Sequence, residues 1–238
     1  LVDAYEMING KAINDPASGY DPQNPYVNRD PRLLLTILAN NMLFNDSTVK
    51  AFVGGVDGIG KVNSTSTGYY LKKFVQEKVQ LPTNKTASHV WHIFRYGEVL
   101  LNYAEAMNEA YGPEMVPANF ALSAREALNL IRKRTGINMP EIEAGLNQSA
   151  FRDRLRNERR VELAFEGHRF WDVRRWMIAE QTENMPLKGM RITKTAEGFS
   201  YEVVKIEDRK FIAPGMYRYP IPFSELSKYK NWTQTTGW

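Results

Sequence analysis

Residues 157–176, NERRVELAFEGHRFWDVRRW, restrict the possible folds more than any other part of this chain. Four carboxylates and five arginines crowd around a single glycine, with two of the five tryptophans. Glu158, Glu162 and Glu166 recur at every fourth position, so on a helix they form one stripe. Arg154 lies four before Glu158, Arg159 three before Glu162, and Arg169 three after Glu166. Such pairs add only ~0.2–0.5 kcal/mol each when exposed. Buried against neighbouring helices, they set packing register more than stability.

Two chemical readings compete with a structural one. Two carboxylates on one face are also the equipment of a glycosidase, with Glu158 or Glu162 as the acting acid. The flanking arginines argue against this, because they keep the acids ionised. A two-metal carboxylate site needs Glu-x-x-His, which the stripe lacks. His168 has no second His or Cys nearby and reads as a hydrogen-bonded structural group. We therefore expect Glu158, Arg159, Glu162, Glu166, Gly167, His168, Arg169, Trp171 and Asp172 to be scaffold. Gly167 is expected to break a long helix so that Phe170, Trp171 and Trp176 turn back into the core.

The rest of the chain is read around that stretch. With 238 residues there is enough chain for a sizeable core. Lys plus Arg exceeds Asp plus Glu by four, and many arginines stand beside acids, so no nucleic-acid face is expected. Cysteine is absent, which removes disulfides and thiolate metal sites. His89 and His92 are three apart but lack a nearby acid, so no metal and no cofactor are expected. No apolar run is long enough to span a membrane. The chain opens on Leu1 in LVDAYEM, which reads as a piece of something longer.

Four X-Pro steps between Asp15 and Pro31 predict an extended, irregular wrap. Residues 33–44 form a short apolar run that is either strand or helix. Residues 69–75 read as a strand. Helical spacing predicts helices over 89–111, 117–135 and 149–178, with Gly112-Pro113 and Gly136 as stops. A hairpin is expected about Glu197-Gly198, and Ser224 is expected to cap a helical turn.

The polar, Gly-rich segment between these elements is the candidate binding loop, residues 44–70. Phe44, Phe52, Tyr69 and Trp91 offer ring faces for sugar C–H groups, and Asn45, Asp46 and Asn63 offer partners for hydroxyls. GVDGIGK at 55–61 comes close to a phosphate loop, but Val62 stands where Ser or Thr is needed and no helix is predicted to follow.

Several stretches together resemble the SusD-like (RagB/SusD) family. They are the 157–176 hallmark, GYDPQNPYVNRDPRLLLTIL, IFRYGEVLLNYAEAMNEA, AREALNLIRKRTG and the ending YPIPFSELSKYKNWTQTTGW. The resemblance covers essentially the whole chain, as a single domain 1–238 similar to the C-terminal portion of such proteins. It implies a mainly α fold of stacked tetratricopeptide-like helical pairs with irregular loops and small β-hairpins. It further implies an outer-membrane, cell-surface lipoprotein whose lipid anchor lies in an N-terminal part not present here. Such a protein captures oligosaccharides without chemistry and delivers them to a SusC-like TonB-dependent transporter. The alternatives are a helical module that only docks a partner, and a glycoside hydrolase.

Overall fold

The computed structural model describes residues 1–79 and 81–238. Three helices carry the main core. The first, α2 (Tyr96–Tyr111), starts after the extended Arg95 and buries Leu100, Leu101, Ala104 and Met107. Gly112, at φ 83°, ends it in a conformation that costs other residues a clash. The second, α3 (Ala124–Arg132), begins with a full capping box: Ser123 accepts from the Glu126 N–H, and Glu126 accepts from the Ser123 N–H. Its Ala127, Leu128 and Ile131 face α2. The third, α4 (Gln148–Glu162), is capped by Asn147 and adds Phe151 and Leu155 to the same cluster.

Smaller elements surround this bundle. The short α1 (Arg32–Thr36) runs into β1 (Ile37–Leu38), which pairs antiparallel with β4 (Tyr70–Leu71). Between them, β2 (Leu43–Phe44) and β3 (Ser47–Thr48) form a tight hairpin. After α4 come α5 (His168–Arg175) and α6 (Ala179–Glu183). The long hairpin of β5 (Leu187–Lys194) and β6 (Phe199–Glu207) and the single turn α7 (Phe223–Leu226) complete the chain. Val161 of α4 also packs with Tyr5, Leu33 and Ile37, so α4 joins two cores.

Four expectations are corrected. The first helix begins at Tyr96, not at 89, and Trp91 and Phe94 precede it in irregular backbone, 63% and 77% exposed. Their apparent periodicity belongs to an exposed aromatic strip and not to a core face. The second helix begins at Ala124, because the capping box of Ser123 and Glu126 outweighs Pro117 as a start signal. The break expected at Gly167 within 149–178 is present, with Phe165 at φ 62° and Gly167 at φ 82° turning the chain between α4 and α5. The 69–75 strand shrinks to Tyr70–Leu71, because Phe74 at φ 67° redirects the backbone. In addition, Ser224 lies within α7, whose cap position is Pro222.

Candidate functional site

The carboxylate stripe lies inside the molecule and gathers cations from distant parts of the chain. Glu158 accepts from Arg132 at 2.7 Å and from Arg32. Glu162 accepts from Arg32 at 2.9 Å and from Arg95, and pairs with Arg134 at 2.7 Å. Glu166 accepts from Lys73 at 2.6 Å and Arg95 at 2.7 Å. Arg32 also holds Asp30 at 2.6 Å, and Glu6 joins Arg132 at 2.8 Å and Arg154 at 3.0 Å.

None of the three expected local pairs forms. Arg154 reaches Glu6 and not Glu158. Arg159 turns away from Glu162 to Asp172 and Asn102, both at 2.7 Å. Arg169 makes no ion pair with Glu166 or with any other described residue. A local pair is worth tenths of a kcal/mol. A buried carboxylate without partners costs several, so the dry core draws in the remote arginines instead. The rings of this stretch are also placed differently from expectation. Phe170 is 40% exposed and Trp171 57%, while Trp176 is half-buried with its Nε1 donating to Glu105. His168 sits 3.6 Å from Glu98.

These contacts fix the chemistry of the stripe. Burial would raise the Glu162 carboxyl, but Arg134 and Arg32 outweigh it and hold it at about 2. Glu158 is likewise lowered, with Arg32 and Arg132 overcoming complete burial. A general acid requires the opposite shift. The stripe is suited to holding helices in register.

The candidate loop residues divide into two groups. Phe52 and Tyr69 are half-buried anchors. Phe52 packs 5.5 Å from Phe199 over Ala51, Met190 and Ile192, and Tyr69 meets Tyr26 edge-on at 6.1 Å. The Val53 N–H donates to the Ile192 carbonyl and the Met190 N–H to the Thr67 carbonyl, both at 2.8 Å, so this part of the loop lies on the β5–β6 hairpin. The near-phosphate-loop is a tight series of turns. A Cβ on Gly55 would meet the Lys50 carbonyl at 2.2 Å, and one on Gly58 the Phe52 carbonyl at 2.3 Å.

Phe44, Asn45 and Asp46 form the β2–β3 tip, where Asn45 and Asp46 both adopt positive φ, the conformation of a tight hairpin turn. The tip is tied across to the 70s segment, since Asn45 Oδ1 accepts from the Lys78 N–H at 2.9 Å. That segment carries Phe74, which packs at a tilt of 37° against Trp91 with centroids 5.0 Å apart, with His89 edge-on to Phe74 at 5.9 Å. Gln76 hydrogen-bonds His89 at 3.3 Å. Asn63 is exposed at a separate turn with φ 62°. The structure therefore links Trp91 with Phe74, His89 and the Asn45 tip, and leaves Phe52, Tyr69 and Asn63 apart from them. Phe74 escaped the sequence reading because it stood inside a presumed strand. Among the described residues no group of three or more acids and histidines is arranged to hold a metal.

Two clefts border these features. One of about 230 Å³ opens above the stripe and is lined by Phe74, His92, Lys73, Arg95, Arg134 and Glu162, among others. The other, of about 920 Å³, lies between α5 and the C-terminal segment. Phe170 stacks on Tyr219 at 6.1 Å there, beside Trp171 and Trp238. Arg174 covers Phe170 at 3.5 Å. Nothing in the sequence pattern pointed to this second cleft, because its walls come from segments far apart in the chain.

Helical pairs stacked on an ion-locked core, with small hairpins and long loops, define a mainly α scaffold of tetratricopeptide-like type. The chain belongs to the SusD family, whose pattern it matches over residues 1–238. It is similar to the crystal structure of a SusD-like protein from Bacteroides fragilis, at a TM-score of 0.78 and 28% identity, over 100% of this chain and 46% of that one. A SusD-like carbohydrate binding protein from the same organism matches at a TM-score of 0.74 and 27% identity, over 95% of this chain and 46% of its own. A SusD-like protein of Formosa agariphila is 38% identical over 87 residues, 36% of this chain and 15% of that protein. The chain thus spans less than half the length of these structures.

Proposed function

We propose that this chain captures oligosaccharides through the Phe74–Trp91 face, without chemistry, at the outer surface of the cell. In this reading a SusC-like TonB-dependent transporter receives the sugar, and a lipid anchor outside this sequence holds the protein at the outer membrane. The observation that carries it is the exposed Trp91 packed at a tilt on Phe74, in a segment that is tied through Lys78 to the polar Asn45–Asp46 tip. Sugar rings stack their apolar faces on such rings while amides and carboxylates take the hydroxyls. The family, and a structural relative named as carbohydrate binding, support the same reading. Calorimetry with a glycan panel tests it. Saturable heat that Trp91→Ala abolishes is the expected result, and heat unchanged in that variant would move the site elsewhere.

A second reading, partner docking, is favoured by the large aromatic cleft. Monomeric surfaces seldom leave Phe170, Trp171 and Tyr219 exposed together unless something covers them. Loss of transporter co-purification in Trp171→Ser, with glycan heat intact, would support docking there as a separate role.

A further inference from the structure

We infer that the ligand at the Phe74–Trp91 face is an acidic oligosaccharide, one bearing carboxylate or sulfate, and that Arg134 is the residue that selects it. The inference rests on the capture reading above and concerns the same face. It comes from counting charge along the buried network. In the inner part Arg32, Arg132 and Arg154 meet Asp30, Glu6 and Glu158, the exposed Glu143 lies a further 3.9 Å from Arg154, and Arg32 also reaches Glu162, so no cation there is in excess. The outer part differs. Lys73, Arg95 and Arg134 meet only Glu162 and Glu166. The outer end of the network therefore carries one more cation than it has carboxylates, and all three of its cations line the 230 Å³ cleft.

The hydrogen bonds identify which of the three is least engaged. Lys73 spends three donors on Glu166 and the carbonyls of Glu162 and Ala164. Arg95 spends four on Glu162 and Glu166. Arg134 is held to Glu162 by Nη1 at 2.7 Å and is the most exposed of the three, at 40% of its side chain. A guanidinium has five N–H donors in a fork that fits a carboxylate or sulfate. One side of Arg134 is thus anchored and the other is open to the cleft. Phe74 lines the same cleft and forms half of the aromatic platform, so a ring stacked on Trp91 and Phe74 brings its acidic group towards Arg134. The cleft is smaller than the ~300–1,000 Å³ that encloses a whole drug-sized ligand, so it suits one charged unit of a longer chain.

The test uses calorimetry with uronate-bearing oligosaccharides, each beside its carboxyl-reduced neutral counterpart. The acidic member is expected to bind at least ~10-fold more tightly, the equivalent of one charge-assisted hydrogen bond, and to weaken with added salt. Arg134→Gln should erase the preference, Arg134→Lys should keep part of it, and Trp91→Ala should weaken both members. A single cooperative melting transition above the assay temperature shows that each Arg134 variant is folded, with a lowered midpoint expected from the loss of the pair with buried Glu162. Equal affinity for acidic and neutral members, with Trp91→Ala still damaging, overturns the charge inference and leaves capture standing. A preference that survives Arg134→Gln in a folded protein also overturns it. Silence across both series overturns the capture reading and this inference together.

Discussion

Arg159 Nε donates to Asp172 Oδ2 at 2.7 Å, joining the last turns of α4 to α5 across the Gly167 bend. Both side chains are about 95% buried. The other Asp172 oxygen accepts from Arg175 at 2.9 Å, and Arg175 continues to Glu105 of α2. Through this clamp the bend holds a defined angle against the helical bundle. Asp172→Asn leaves Arg159 buried without its counter-charge, and a loss of about 3–5 kcal/mol is expected. Urea unfolding measures it, and a loss below about 1 kcal/mol would mean that the clamp is incidental.

Gly167 itself acts through the backbone. At φ 82° it has nothing within 4 Å of a Cβ position, so a side chain there meets no clash with its surroundings and pays only for the left-handed conformation. Gly167→Ala should cost about 1–2 kcal/mol, and the β-branched Gly167→Val more. Thermal melting reads the cost. Glycan affinity of the folded protein should stay unchanged, and a folded variant without affinity would bring the bend into the binding site.

Acid should loosen the core through Glu162. Its carboxyl is lowered from an ordinary 4.5 to about 2, with Arg134 and Arg32 overcoming burial. The unfolded state therefore takes up the proton first on acidification. The stability tied to this group, on the order of 3 kcal/mol, is complete above about pH 4.5 and drains away as pH falls towards 2. Glu158 shifts in the same direction. Glu6 opposes them, since burial raises it despite Arg132 and Arg154. Denaturant midpoints measured through this range should fall, and a flat profile would contradict the assignment.

Phe52 and Trp91 should separate stability from binding. Phe52 packs with Phe199 in the cluster beneath the hairpin, so Phe52→Ala should lower stability by about 1.5–3 kcal/mol. Trp91 is mostly exposed and its main contact is the ring of Phe74, so Trp91→Ala should cost no more than about 1 kcal/mol. Glycan heat should show the reverse order. If Phe52→Ala stays folded and loses binding, the site extends over the hairpin.

Much of the scaffold is legible in local sequence. The Gly112 stop, the Gly167 break and the hairpin about Gly198 are decided by residues a few positions apart. Local chemistry is sufficient at these points because the interactions are themselves local. The helix start near 89 differs because exposed aromatics imitate a core stripe, and only burial distinguishes the two. The start near 117 differs because Pro117 is a weaker start signal than the capping box of Ser123 and Glu126.

The residues 157–176 show the division most clearly. That their charges would be structural could be read from acids interleaved with arginines. Which arginines they meet could not, because Arg32 reaches Glu158 across 126 positions and Arg95 reaches Glu162 across 67. Sequence alone determined the helices, the bend and the surplus of charge that has to be paired. The tertiary structure decided the partners, the aromatic pair Phe74–Trp91 and the open side of Arg134. The physical reason is that desolvating a carboxylate costs more than any neighbouring pair returns, so partners are chosen by the packing of distant segments.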